Sequence, residues 1–143
     1  MMVTILDKVD SALDMRISSG IGMTIPLLAG AGGKILLAQL PEDEVEEILS
    51  GNELPRFTRN SCTDKIKYME VVRRVREEGI AIDMEEYIDG VRALAVPLNS
   101  RKGGNPCAIW AVGLKRQIRE EDIPGYSDFL KGIAGDISTR ITF

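Results

Sequence analysis

Residues Val91–Leu98 sort by parity: Val91, Ala93, Ala95 and Pro97 are mostly small, while Leu94, Val96 and Leu98 are large. A β-strand sends alternate side chains to opposite faces, so this pattern gives one slim and one bulky face. Cys107–Leu114 repeats it, with Ile109, Ala111 and Gly113 on one side and Trp110, Val112 and Leu114 on the other. Between them, residues 99–105 (Asn-Ser-Arg-Lys-Gly-Gly-Asn) form a turn cluster, so the two runs read as an antiparallel hairpin. A sheet of this kind packs its bulky side on helices and leaves a hollow on its slim side, which is the outline of a small-ligand pocket. The alternative is that neighbouring side chains fill the slim side and nothing binds there.

The remaining elements follow from spacing. Residues 3–9, 15–18, 23–27 and 80–84 read as strands, with bends at Gly20 and Gly22. Residues 29–40 take helical spacing through Leu36, Leu37 and Leu40. Pro41 and Glu42-Asp43-Glu44 open a second helix with a Val45, Ile48, Leu49 stripe and Gly51 as its cap. Thr63 is the expected N-cap of a third helix over 64–78, buried through Tyr68, Val71, Val72 and Val75 and ended by Gly79. From Ile123, the positions Tyr126, Leu130, Ile133, Ile137 and Ile141 mark a final long helix. The expected fold class is α/β (α+β): an antiparallel sheet with helices packed on one face, as a single domain over 1–143.

Composition excludes several functions. A formal charge of −4 and a pI near 5.0 provide no basic field for nucleic acid. The basic residues Lys65, Lys67, Arg73, Arg74 and Arg76 share their helix with Glu70, Glu77 and Glu78, the mark of a solvated face. With no His, the commonest metal ligand and general base is missing, so neither a metal nor a cofactor is expected. The two cysteines, Cys62 and Cys107, fit reduced thiols in a cytoplasmic protein. No apolar run has the make-up of a membrane span.

Gly30-Ala31-Gly32-Gly33-Lys34 resembles a phosphate loop but fails in detail, because Leu28 stands at the required first Gly and Ile35 at the required Ser or Thr. A first turn made of Gly and Ala still leaves backbone N–H groups bare, at the end where the helix dipole favours negative charge. Either a small carboxylate docks there, or small residues simply let the helix approach the sheet. Asp83 opens an acidic turn over 85–90. Alone it reads as a turn residue or as a ligand contact, and Glu85, Glu86 and Asp89 read as a solvated turn.

One resemblance covers nearly the whole chain. Gly79-x-x-x-Asp83-x-x-Glu86-x-x-x-Gly90-Val91-x-x-Leu94-Ala95-x-Pro97 is similar to the signature of the effector-binding domain of IclR-type transcriptional regulators. Pro26-Leu27, Ala29-x-x-x-Gly33-Lys34-x-Leu36-Leu37-Ala38, Leu54-Pro55-Arg56-Phe57-Thr58 and Thr63-Asp64 match it in order. The resemblance implies a GAF/PAS-like sensor domain without catalytic residues. Its ligand would be a small organic effector, held by the amides of Ala31 and Gly32 and by Asp83. The family's Cys and Ser positions match Ala93, Ala111 and Gly113 here, which implies a more apolar effector bearing one carboxylate. It also implies a homodimer or tetramer, a cytoplasmic location, and DNA binding only through an N-terminal winged helix-turn-helix, to which no segment here corresponds. The alternatives are a small enzyme using Asp83 and Glu86, or an oligomerisation domain with no ligand.

Overall fold

The computed structural model describes residues 1–12, 19–99 and 104–140. In chain order the elements are β1 (Met2–Thr4), β2 (Thr24–Pro26), α1 (Gly30–Leu37), α2 (Glu42–Gly51), α3 (Lys65–Glu78), β3 (Ala81–Met84), β4 (Val91–Leu98), β5 (Cys107–Leu114) and α4 (Ile123–Arg140), with a 3-10 turn at Glu120–Asp122 before α4. The strands β1 and β2 pair antiparallel by themselves, and β3, β4 and β5 form a second antiparallel sheet in that order.

Register assigns the faces. Ala93 stands opposite Val112 and Ala95 opposite Trp110, while Leu94 faces Ala111 and Arg92 faces Gly113. On the other side of β4, Asp83 pairs with Ala93 and Ala81 with Ala95. Paired residues share a face, so the slim face runs Ala81, Asp83, Ala93, Ala95, Trp110 and Val112.

Helices cover both faces. On the bulky face, α4 brings Leu130 and Ala134 onto Ile80, Leu94, Val96 and Ile118. Burying a side chain such as Leu94 contributes about 1.5–3 kcal/mol. On the slim face, Ile35, Leu37, Val45, Leu49, Tyr68 and Val72 of α1, α2 and α3 pack over Ala81, Ala93 and Ala95. The α+β, GAF/PAS-like class stands, but helices on one face alone do not: alanines on the sheet give α1 room to lie close against it.

Local differences have local causes. The expected strand over 3–9 is only the three residues of β1; Val9, 99% exposed, has no partner strand among the described residues. The cap of α3 is Asp64 rather than Thr63, its carboxylate accepting the Lys67 N–H at 3.0 Å. Asn52, not Gly51, caps α2 in an extended conformation. The segment after Leu37 continues to Leu40 as tight turns, Gln39 N–H donating to Leu36 and Leu40 N–H to Leu37. The expected strand 15–18, most of the 99–105 turn and Ile141 lie outside the described residues. Among the described residues, no helix is long and apolar enough to cross a membrane.

Candidate functional site

The site is built where α1 begins. Its N-cap, Ala29, has no side chain to offer, so the amides of the first turn are capped by no side-chain oxygen. Gly30 opens the helix at φ +61°, a conformation glycine adopts without penalty. Its bare side receives Asp83 from β3. A Cβ at position 30 would lie 2.6 Å from Asp83 Oδ2.

Asp83 is 5% exposed, and its Oδ1 accepts the Glu86 N–H at 2.6 Å. Burial pushes its carboxyl above the ordinary carboxylate range, and the Glu86 amide and Lys34 charge oppose that rise only in part. One turn into α1, Lys34 is also 5% exposed. Its Nζ donates to the Ile82 carbonyl at 3.1 Å and to the carboxylate of Glu86. This buried ammonium therefore ties α1 both to β3 and to the acidic turn.

That turn is anchored rather than merely solvated. Thr58 Oγ1 donates to the Glu85 carbonyl at 2.6 Å, and Ser61 Oγ to the Glu86 carbonyl at 2.7 Å. Glu85 takes φ +62° and accepts the Gly90 N–H at 3.0 Å. The ring of Phe57 meets Tyr87 edge-on at 4.9 Å, and the Tyr87 Cβ flanks Gly30. Near this cluster, Tyr68 has a buried hydroxyl with no hydrogen-bond partner among the described residues, its pKa pushed up by burial and then by the negative charge of Glu86.

The expected site residues divide by face. Ala31, Gly32, Asp83 and Ala93 come together between α1 and the slim face. Ala31 is itself core, so only its backbone is available to the site. Ala111 and Gly113 are not brought there. Ala111 faces the α4 side with Leu94, and a Cβ on Gly113 would press on Gln117 Oε1 and Ile118 Cδ1, each at 3.2 Å. Ala93 instead shares its face with Trp110 and Val112. The expected hollow is filled as well: a Cβ on Gly32 would lie 1.6 Å from Trp110 Cζ2, overlapping the indole.

Sequence reasoning missed Lys34, Thr58, Ser61 and Trp110. Lys34 carried a readable signal, a lone cation in the apolar run Ile35-Leu36-Leu37. Chemically, the arrangement offers bare amides for an oxyanion or carbonyl beside a buried acid that accepts an O–H. It pairs no nucleophile with a base among the described residues. Among the described residues, no group of three or more His, Cys, Asp or Glu could hold a metal ion.

The chain is similar to known proteins over almost its full length. The family described as bacterial transcriptional regulator IclR, C-terminal, matches residues 1–139. The HTH-type transcriptional regulator KdgR of Escherichia coli (strain K12) is 40% identical over 141 residues, covering 99% of this chain and 54% of KdgR. The crystal structure of the Thermotoga maritima IclR superposes with a TM-score of 0.89 at 32% identity, covering 99% of this chain and 57% of that one. The C-terminal domain of E. coli KdgR superposes at 0.77 with 32% identity, covering 99% and 86%. The chain spans about half the length of the curated relatives it matches. Those relatives are named as regulators and repressors rather than enzymes, which sets aside the enzymatic reading of Asp83 and Glu86.

Proposed function

Since the chain belongs to the IclR family of bacterial transcriptional regulators, as their C-terminal effector-binding domain, we propose that it senses a small, partly apolar organic acid at the start of α1. The acid's carboxylate is received by the amides of Ala31 and Gly32, with Asp83 accepting a hydroxyl where the ligand carries one. Ala93 and Val112 supply an apolar wall. The observation that carries this reading is the side-by-side placement of an uncapped helix start and a carboxyl that is almost fully buried. The carboxyl accepts the Glu86 N–H and keeps further lone pairs that a ligand hydroxyl could reach.

The output is a population shift. Effector binds one conformation better and biases subunit association, and DNA is contacted only through a winged helix-turn-helix outside these 143 residues. On this reading the 1–143 segment is one domain of a homodimer or homotetramer in the cytoplasm.

The test is a thermal-shift panel of small carboxylates with a light-scattering mass for the same protein. A ligand at 100 times its Kd stabilises by about 2.7 kcal/mol. No shift with any acid, or a strictly monomeric mass at high concentration, counts against the corresponding half of the reading.

A further inference from the structure

We infer that the indole of Trp110 and the effector compete for one seat, so that Trp110 selects which acids bind. This rests on the effector site proposed above and deepens it.

The register turns Trp110 toward α1, opposite Ala95 and on the face that holds Asp83 and Ala93. There the ring lies against the first turn: its Cζ2, Cη2 and Cε2 atoms occupy the volume a side chain on Gly32 would take. The seat has small walls, with Gly32 on the helix side and Ala93 and Ala95 on the strand side. A slot of that shape is flat, and a planar group refills it without leaving a void.

Trp110 is only partly buried, at the edge of the core. Its strand, β5, is the last of the three-stranded sheet, so among the described residues no further strand flanks it. Beside it Val112 is 44% exposed, leaving a way out toward solvent. Among the described residues, no hydrogen bond holds the indole N–H. A ligand whose carboxylate reaches the amides of Ala31 and Gly32 must therefore put its own body where the indole stands, and Trp110 must swing out. The effector chemistry that fits is a planar aromatic monocarboxylate. A compact oxo-acid satisfies the amides but leaves the vacated apolar slot unfilled.

The lone tryptophan makes the exchange visible. Benzoate and glyoxylate are titrated into the intact chain, following Trp110 emission and heat, and calorimetry is repeated on Trp110→Ala and Trp110→Leu. The expected result is a red shift of emission with benzoate, benzoate preferred over glyoxylate, and benzoate bound about tenfold or more tighter by a variant lacking the indole, since the occupied state no longer reduces apparent affinity. Benzoate binding with static emission and no gain in either variant overturns the inference and makes Trp110 a fixed wall, while leaving the effector site standing. A preference for glyoxylate overturns the selection by shape. Absence of binding by both acids to all three proteins overturns the site itself.

Discussion

Asp83 and Gly30 are fitted to each other: the carboxylate takes the volume that any side chain at position 30 would need, 2.6 Å from where its Cβ would stand. The contact joins an edge strand of the sheet to the start of a helix, and both partners are constrained by it. Gly30→Ala suffers twice. The positive φ costs an alanine about 1–2 kcal/mol, and the methyl forces the carboxylate aside. The double variant Gly30→Ala/Asp83→Ala should recover the second loss but not the first. Urea unfolding of the three proteins reads the difference, and full recovery would show that backbone strain at Gly30 is negligible.

The elevated pKa of Asp83 gives stability a pH dependence of known sign. A carboxyl whose folded pKa is raised stabilises fully below its unfolded value of about 3.9. That contribution is lost as pH climbs through the raised folded value. Asp83→Asn keeps an oxygen acceptor for the Glu86 N–H and removes the titration. Its stability relative to the parent should therefore increase as pH rises from about 4 toward neutrality. Parallel urea profiles between pH 3 and 7 would mean that burial does not perturb Asp83.

Lys34 and Glu86 form a pair with one partner almost wholly buried and the other 24% exposed at its side chain. Breaking a buried pair by removing one member costs about 3–5 kcal/mol, and the exposure of Glu86 puts Lys34→Met near the lower end. In a cycle with Glu86→Gln, the double variant should lose less than the sum of the singles. Additive losses would show that Lys34 matters through Ile82 alone.

Ala111 and Val112 are neighbours in sequence with separate roles. Ala111→Leu overpacks the α4 side and should cost about 1–3 kcal/mol while leaving the affinity for benzoate as it was. Val112→Ser, at a half-exposed position on the slim face, should change that affinity with little effect on stability. Thermal unfolding with and without benzoate separates the two, and an Ala111 variant that altered binding would contradict the register.

What the sequence by itself determined was each element in isolation. Alternation gave β4 and β5 their bounds and divided each into a large and a small side, and apolar spacing with an acidic opening placed α2 and α4. Ordered matches along the chain identified the family before any geometry was known. Only tertiary structure decided which side of β5 joins which side of β4. A period of two defines two faces without saying which looks at the helix, and a shift of one residue exchanges them all. Size suggested Ala111 and Gly113 as companions of Ala93, but the paired register supplied Trp110 and Val112. Whether a large ring fits on the slim side depends on what faces it across the interface, and Gly32 lies 78 residues before Trp110 in the chain. Such a complementarity between distant positions is not carried by the local pattern of either one.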